Sequence, residues 1–160
     1  MEKLAKNRVG LKGIIELTVR DSNGKIKDYR KIKNLIVNAG LAGLASRING
    51  SGAESAFTYL GVGTGTTAVN ATDTALETEI TDSGLARDSA TASRTTTNVA
   101  NDTAKLSKIW SVTGTKAVTE VAALNAGASG TLLGHQTFTA VNVVSGDSLQ
   151  IDYSFISANA

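Results

Sequence analysis

Between Leu149 and Phe155 apolar and polar residues alternate without a break. Leu149, Ile151, Tyr153 and Phe155 hold one parity, and Gln150, Asp152 and Ser154 hold the other. A period of two puts the apolar set on one face of a strand and the polar set on the opposite face, so the segment covers a core and wets its far side. Ile15, Leu17 and Val19 repeat the pattern against Glu16, Thr18 and Arg20, and Ala104, Leu106, Trp110 and Val112 share one parity further on. Residues 117–124 and 131–140 are two more apolar-rich strand candidates, divided by the turn signal Asn125-Ala126-Gly127-Ala128-Ser129-Gly130. Strands recurring with turns between them predict a mainly β chain, an antiparallel β-sandwich or barrel-like domain.

The N-terminal third adds a hairpin and a helix. Residues 13–20 read as a strand, Asp21-Ser22-Asn23-Gly24 as a tight turn, and the charged residues 25–33 as an exposed return strand. Asn-Gly carries that turn because both residues accept positive φ. A short α-helix is expected near residues 39–48, with Asn38 as its N-cap and Leu41, Leu44 and Ile48 on one face at helical spacing. Asn49-Gly50-Ser51-Gly52 ends it. Residues 57–62 read as a buried strand, Thr74-Ala75-Leu76-Glu77 as a capping box opening a helical turn, and 83–101 as a long, polar, exposed strand or arm. The expected organisation is a basic arm over residues 1–12 and a single β-rich domain over 13–160.

Composition narrows the chemistry. The 160 residues include no cysteine, no proline, one histidine and one tryptophan, so disulfide scaffolds, thiolate metal sites, thiol nucleophiles and multi-histidine centres are excluded. Aromatic residues make up 4%, leaving Val, Ile, Leu and Ala to build the core. No apolar run is long enough to cross a membrane as a helix, and no apolar segment follows the charged N-terminus as a secretory signal requires. Synthesis and folding in a cytoplasm are therefore expected. Of 20 threonines, all but Thr18 fall between Thr58 and Thr139, as long exposed strands would have them.

Three groups of residues invite a chemical reading. Gly61-Val62-Gly63-Thr64-Gly65 follows a strand, but no Lys-Ser or Lys-Thr follows it, so the glycines are read as a tight turn or a close backbone approach. Asp73, Glu77, Glu79 and Asp82 form an acidic cluster whose spacing does not match a calcium loop. It is read as a solvated face or as an acidic partner for the basic hairpin. His135 stands alone without a G-x-S-x-G elbow anywhere in the chain, which makes it a hydrogen-bonded structural histidine. Trp110 is read as a core residue. No catalytic residue, metal or cofactor is assigned.

The formal net charge of +2 hides a division. Residues 1–33 carry ten Lys/Arg against four Asp/Glu, and residues 34–160 carry six against ten. A basic end on an acidic body suits docking onto an acidic surface. The residues assigned to that role are Lys3, Lys6, Arg8 and Lys12 in the arm, with Lys25, Lys27, Arg30 and Lys31 in the hairpin.

Asn34-Leu35-Ile36-Val37-Asn38-Ala39-Gly40-Leu41 resembles a segment near the start of small structural virion proteins of tailed bacteriophages. Tyr59-Leu60-Gly61-Val62-Gly63-Thr64-Gly65-Thr66-Thr67 and the acidic stretch 73–80 are similar to the segments that follow in that family. Thr119-Glu120-Val121, Leu124-Asn125-Ala126 and Ser129-Gly130-Thr131-Leu132-Leu133 resemble its late turn. The pattern departs at Ala122-Ala123, where a Gly is commoner, and at Gly134-His135, where Ala-Arg is commoner. The resemblance implies a structural protein without catalytic residues. The leading expectation is a capsid decoration, or cement, protein on the outer surface of the shell. Its partners would be the major capsid protein and copies of itself, with β-augmentation as one contact mode. The alternative is a tail component, such as a fibre base, baseplate or tail-tube accessory protein, with other tail proteins as partners. A virion glycan hydrolase lacks a recognisable carboxylate pair. A nucleic-acid partner rests only on the charge of residues 1–33, and no membrane partner is expected.

Overall fold

The computed structural model describes residues 9–159. The N-terminal hairpin consists of β1 (Val9–Arg20) and β2 (Ile26–Lys33), and β3 (Leu35–Ile36) follows after Asn34 alone. Helix α1 (Asn38–Asn49) leads to β4 (Tyr59–Gly63), β5 (Asp88–Ser89) and β6 (Thr91–Thr95). Four longer strands complete the chain: β7 (Thr103–Ser111), β8 (Lys116–Leu124), β9 (Leu132–Val143) and β10 (Ser148–Asn159). They form two five-stranded antiparallel sheets, ordered β2-β1-β10-β7-β6 and β3-β9-β8-β4-β5, in a sandwich-like fold.

The alternating segments build the core as their parity requires. Ile15, Leu17 and Val19 of β1 and Leu149, Ile151 and Tyr153 of β10 are fully buried on the inner face of the first sheet. Leu60, Val62, Val118, Val121, Val141 and Val143 face them from the second sheet, also fully buried. Trp110 is a core residue whose indole N–H donates to the Ala86 carbonyl at 2.9 Å.

Single residues stitch the two sheets along both sides. Asn34 carries the chain from β2 to β3, and Ala90 carries it from β5 to β6. Asn34 donates from Nδ2 to the Tyr153 hydroxyl at 2.6 Å, and its amide occupies the space a side chain would need at Gly13 and Gly134. Burial pushes the Tyr153 phenol up, so it stays protonated. Below Asn34, where β3 has ended, Arg30 donates to the carbonyls of Thr139 and Ala140 on β9.

Several expectations change in detail. β1 starts at Val9 rather than at residue 13, because β10 runs on to Asn159 and pairs with it. Lys12, expected in the arm, is therefore part of a strand; Lys3, Lys6 and Arg8 lie outside the described residues. The helix is capped by Val37 without a side-chain hydrogen bond, and Asn38 is its first residue. Its Leu41 and Ile48 are exposed, at 51% and 88%, while Gly40 and Gly43 are buried. Glycine faces the sheet because the approach is too close for any side chain: a Cβ on Gly40 would sit 2.3 Å from the Leu133 carbonyl oxygen. The helix ends at Gly50 in the left-handed conformation, as expected. Residues 83–101 do not form one long strand. They divide into β5 and β6 and an outer turn, where Asp102 accepts the backbone N–H groups of Thr97, Asn98 and Val99.

Gly40→Val forces the helix off β9. Urea unfolding should show a loss of about 2 kcal/mol, against less than about 0.5 for Ala42→Ser on the exposed side. Equal stability for the two variants would contradict the close approach.

A buried glutamate–histidine cluster as the candidate functional site

Strand β8 is buried along nearly its whole length, because the outer face of its sheet is covered as well as the inner one. Residues 64–80, leaving β4, fold back over that outer face. They lie on Gly61 and Gly63, where a Cβ would come within 3.0 Å of Leu76 Cδ1 and 2.5 Å of the Thr78 carbonyl oxygen respectively. The glycines of the Gly-Val-Gly-Thr-Gly stretch thus admit a close approach, one of the two readings given to them. Thr74 to Glu77 form no helical turn. The Glu77 carboxylate instead takes the Thr67 backbone N–H at 2.9 Å and its hydroxyl at 2.7 Å, closing the loop on itself. These bonds hold its pKa below the usual carboxylate range.

At the centre stands Glu120, fully buried and charged in sequence among Ala, Val and Leu. Its carboxylate accepts backbone N–H groups from Gly65 at 3.0 Å, Glu77 at 2.9 Å and Thr78 at 2.8 Å. A bulge in β8 between Val118 and Glu120 brings Thr119 to the same loop, where its hydroxyl donates to the Gly65 carbonyl at 2.7 Å. Both peptide groups of Gly65 are therefore held by consecutive residues of β8. A Cβ on Gly63 would lie 2.2 Å from Glu120 Oε1, so this strand position must be glycine.

His135 on β9 completes the cluster. Its Nε2 lies 3.0 Å from Glu120 Oε2 and its Nδ1 lies 3.0 Å from Asp73 Oδ2. Asp73 also accepts the Asn70 backbone N–H at 2.8 Å. Burial opposes charge on the imidazole, but hydrogen bonds to Glu120 and Asp73 outweigh it and raise the His135 pKa. Burial likewise raises the Glu120 pKa, yet His135 and the three N–H donors lower it further, for a net decrease. Both ring nitrogens of His135 thus meet a carboxylate oxygen, and the raised pKa favours the imidazolium form, which donates from both.

This arrangement defines its chemistry. An imidazolium donating from both nitrogens has no lone pair with which to accept a proton. No Ser or Thr hydroxyl bonds to it among the described residues, so it has the geometry of a clasp. Beside it lies an open cleft of ≈ 360 Å³ lined by Thr67, Thr72, Asp73, Thr74, Glu77 and His135. Among the described residues, no group of three or more His, Cys, Asp or Glu side chains is placed to hold a metal ion.

The acidic stretch does not face the basic hairpin. Asp73 serves His135, Glu77 serves Thr67, Glu79 pairs with Arg87 at 2.6 Å, and Asp82 pairs with Lys116 at 2.7 Å. The hairpin cations have their own partners. Lys27 reaches buried Asp147 at 2.5 Å, Arg30 pairs with Asp28 at 2.8 Å, and Lys31 pairs with Glu16 at 3.1 Å. Lys12 and Lys25 are exposed, and none of these five cations lines the cleft. Glu120 was readable only as a lone charge inside the apolar run Ala117 to Leu124; nothing local names its donors. No family model, curated protein or solved structure matches the chain.

Glu120→Gln leaves the cluster one charge short and should cost about 3 kcal/mol in urea unfolding. Asp82→Asn, whose side chain is 65% exposed, should cost less than about 0.5 kcal/mol. The pH dependence follows from the two shifts. The raised pKa of His135 adds stability that is complete below its ordinary value of 6.5 and lost as pH rises through the folded-state value. The lowered pKa of Glu120 adds stability present above its ordinary value of 4.5 and lost as pH falls through the folded-state value. The stability advantage of the wild type over His135→Gln should therefore shrink on raising pH above 6.5. An advantage that grows with alkalinity would contradict a charged His135.

Proposed function

We propose that this protein is a non-enzymatic structural component of a tailed-phage virion, and specifically a decoration protein on the outer surface of the capsid. The observation that carries the reading is the meeting of the resembling segments around one carboxylate. The 59–67 stretch supplies Gly63 and Gly65, the acidic 73–80 stretch supplies Asp73 and the N–H groups of Glu77 and Thr78, and the late segment supplies Thr119 and Glu120. The Asn34–Leu41 segment packs beside them, with the Val37 and Asn38 N–H groups bonded to Leu133 and Ala71. Residues scattered along the sequence thus share one structural task, which favours a common architecture over a chance match of turn residues. His135, standing where the resembled pattern has arginine, meets Glu120 from that position through Nε2.

A decoration protein works by repeated contact. Each copy adds a modest interface, and a symmetric lattice multiplies them into avidity. Such a role calls for a module that keeps its shape under load, and a long loop fastened at Gly65, Thr67, Glu77 and Thr78 supports that demand. Purified virions, quantified by mass spectrometry, should contain about one copy of this chain per major capsid subunit. A few tens of copies or fewer would move the protein to the tail, and absence from the particle would overturn the virion reading altogether.

A further inference from the structure

Every carboxylate among the described residues has a donor within the chain. Glu16, Asp21, Asp28, Glu79, Asp82, Asp88, Asp102 and Asp147 pair with a basic side chain other than His135 or cap a turn. Asp152 pairs with Lys105, Glu54 accepts from Thr131, and Asp73, Glu77 and Glu120 belong to the clasp region. The cations are not matched in the same way. Lys12, Lys25 and Lys33 have no carboxylate partner among the described residues, and Arg20 reaches only the Gly24 carbonyl at 3.2 Å. All four lie on the β1–β2 hairpin, which concentrates unmatched positive charge there; Arg47 on α1, which reaches only the Glu54 carbonyl, and Arg94 on β6 also have no carboxylate partner among the described residues.

Register places this charge on a face. Lys12 and Arg20 share the outward parity of Glu16 on β1, and Lys33 lies beside outward Ile14. Lys12 and Arg20, eight residues apart in a strand, stand about 26 Å from each other. Between these poles a row crosses four strands, from Tyr29 through Thr18 and Gln150 to Ile109. Its two ends are large apolar groups left 55% and 59% exposed. The free edge of β2 is not offered for strand addition near Arg30, because that side chain ties it to β9.

We propose that this outer face of the β2-β1-β10-β7-β6 sheet docks flat onto an acidic protein surface, with Lys12, Arg20 and Lys33 as its charged contacts and Tyr29 and Ile109 as its anchors. The inference rests on the virion reading for the partner's identity, and it replaces Lys27, Arg30 and Lys31, whose charges are matched internally. A protein partner fits better than nucleic acid. Its two exposed anchors sit at opposite ends of the row rather than as a stacking series, and between them Glu16 and Asp152 are already paired with Lys31 and Lys105.

The test uses the intact protein with two probes at low salt, poly-L-glutamate and a short DNA duplex of equal charge. The wild type should bind poly-L-glutamate more tightly than the duplex. The combined variant Lys12→Glu, Arg20→Glu, Lys33→Glu should bind it roughly tenfold more weakly, while Arg47→Glu with Arg94→Glu, on other surfaces, stays within about twofold. Lys12→Gln, Arg20→Gln, Lys33→Gln should show the same loss at smaller size, and melting curves verify folding of each variant. Equal loss in the face and control variants, no binding by the wild type, or tighter binding of the duplex overturns the proposal. Copy number in virions is measured independently, so a failure of the face and a failure of the virion reading are told apart.

Discussion

A carboxylate taken fully out of water must be met by donors, because the cost of leaving it bare exceeds the stability of a domain this size. Glu120 imposes that condition on the whole second sheet. Three backbone N–H groups and one imidazolium answer it, and three of these four donors come from a single loop. The loop in turn requires glycine at 61 and 63 to lie close enough, and it requires Glu77 to turn back on Thr67 instead of starting a helix. A feature that looks like an isolated charge in a strand therefore determines the course of residues 64–80, the covering of the sheet and the ionisation of the single histidine.

The same demand divides the molecule into unlike faces. The second sheet has its outer side closed by its own loop and by the start of α1, so Ala122, Leu124 and Leu132 form a second small core there. Among the described residues, nothing covers the outer side of the first sheet in this way. Its outer side carries matched ion pairs in the middle, unmatched cations on β1 and β2, and exposed Tyr29 and Ile109. One face holds the fold together and the other is available for contact, which is the asymmetry a protein needs if it is to sit on a surface in one orientation.

Charge counting along the chain found the basic end, and the folded chain divides its cations into matched and unmatched ones. Lys27, Arg30 and Lys31 lie in the hairpin as expected, yet each has an internal acceptor. Arg30 closes the seam between the sheets below Asn34, a structural duty visible only once β2 and β9 are brought together. The helix shows the opposite case. Its apolar spacing at Leu41, Leu44 and Ile48 suggested a buried face, but the close packing against Leu133 admits only glycine, and two of those three residues turn outward.

Strand parity, turn chemistry and the helix end were determined by the sequence alone, since each depends on neighbours a few residues away. Alternation in β1 and β10 named their buried residues, the hairpin turned at Asp21–Gly24, where Gly24 but not Asn23 has positive φ and Asp21 closes the turn, and Gly50 stopped the helix. The partners of Glu120 and His135, the β9 carbonyls that Arg30 meets and the Tyr153 hydroxyl that Asn34 meets lie 15 to 119 positions away, His135 at 15 from Glu120 and Tyr153 at 119 from Asn34. Their pairing was decided only by tertiary structure, because burial and register, not local spacing, determine which donor meets which acceptor. The strict alternation at 149–155 thus specified a strand and its inner face, and only the folded molecule decided that no loop among the described residues covers the outer face beside it.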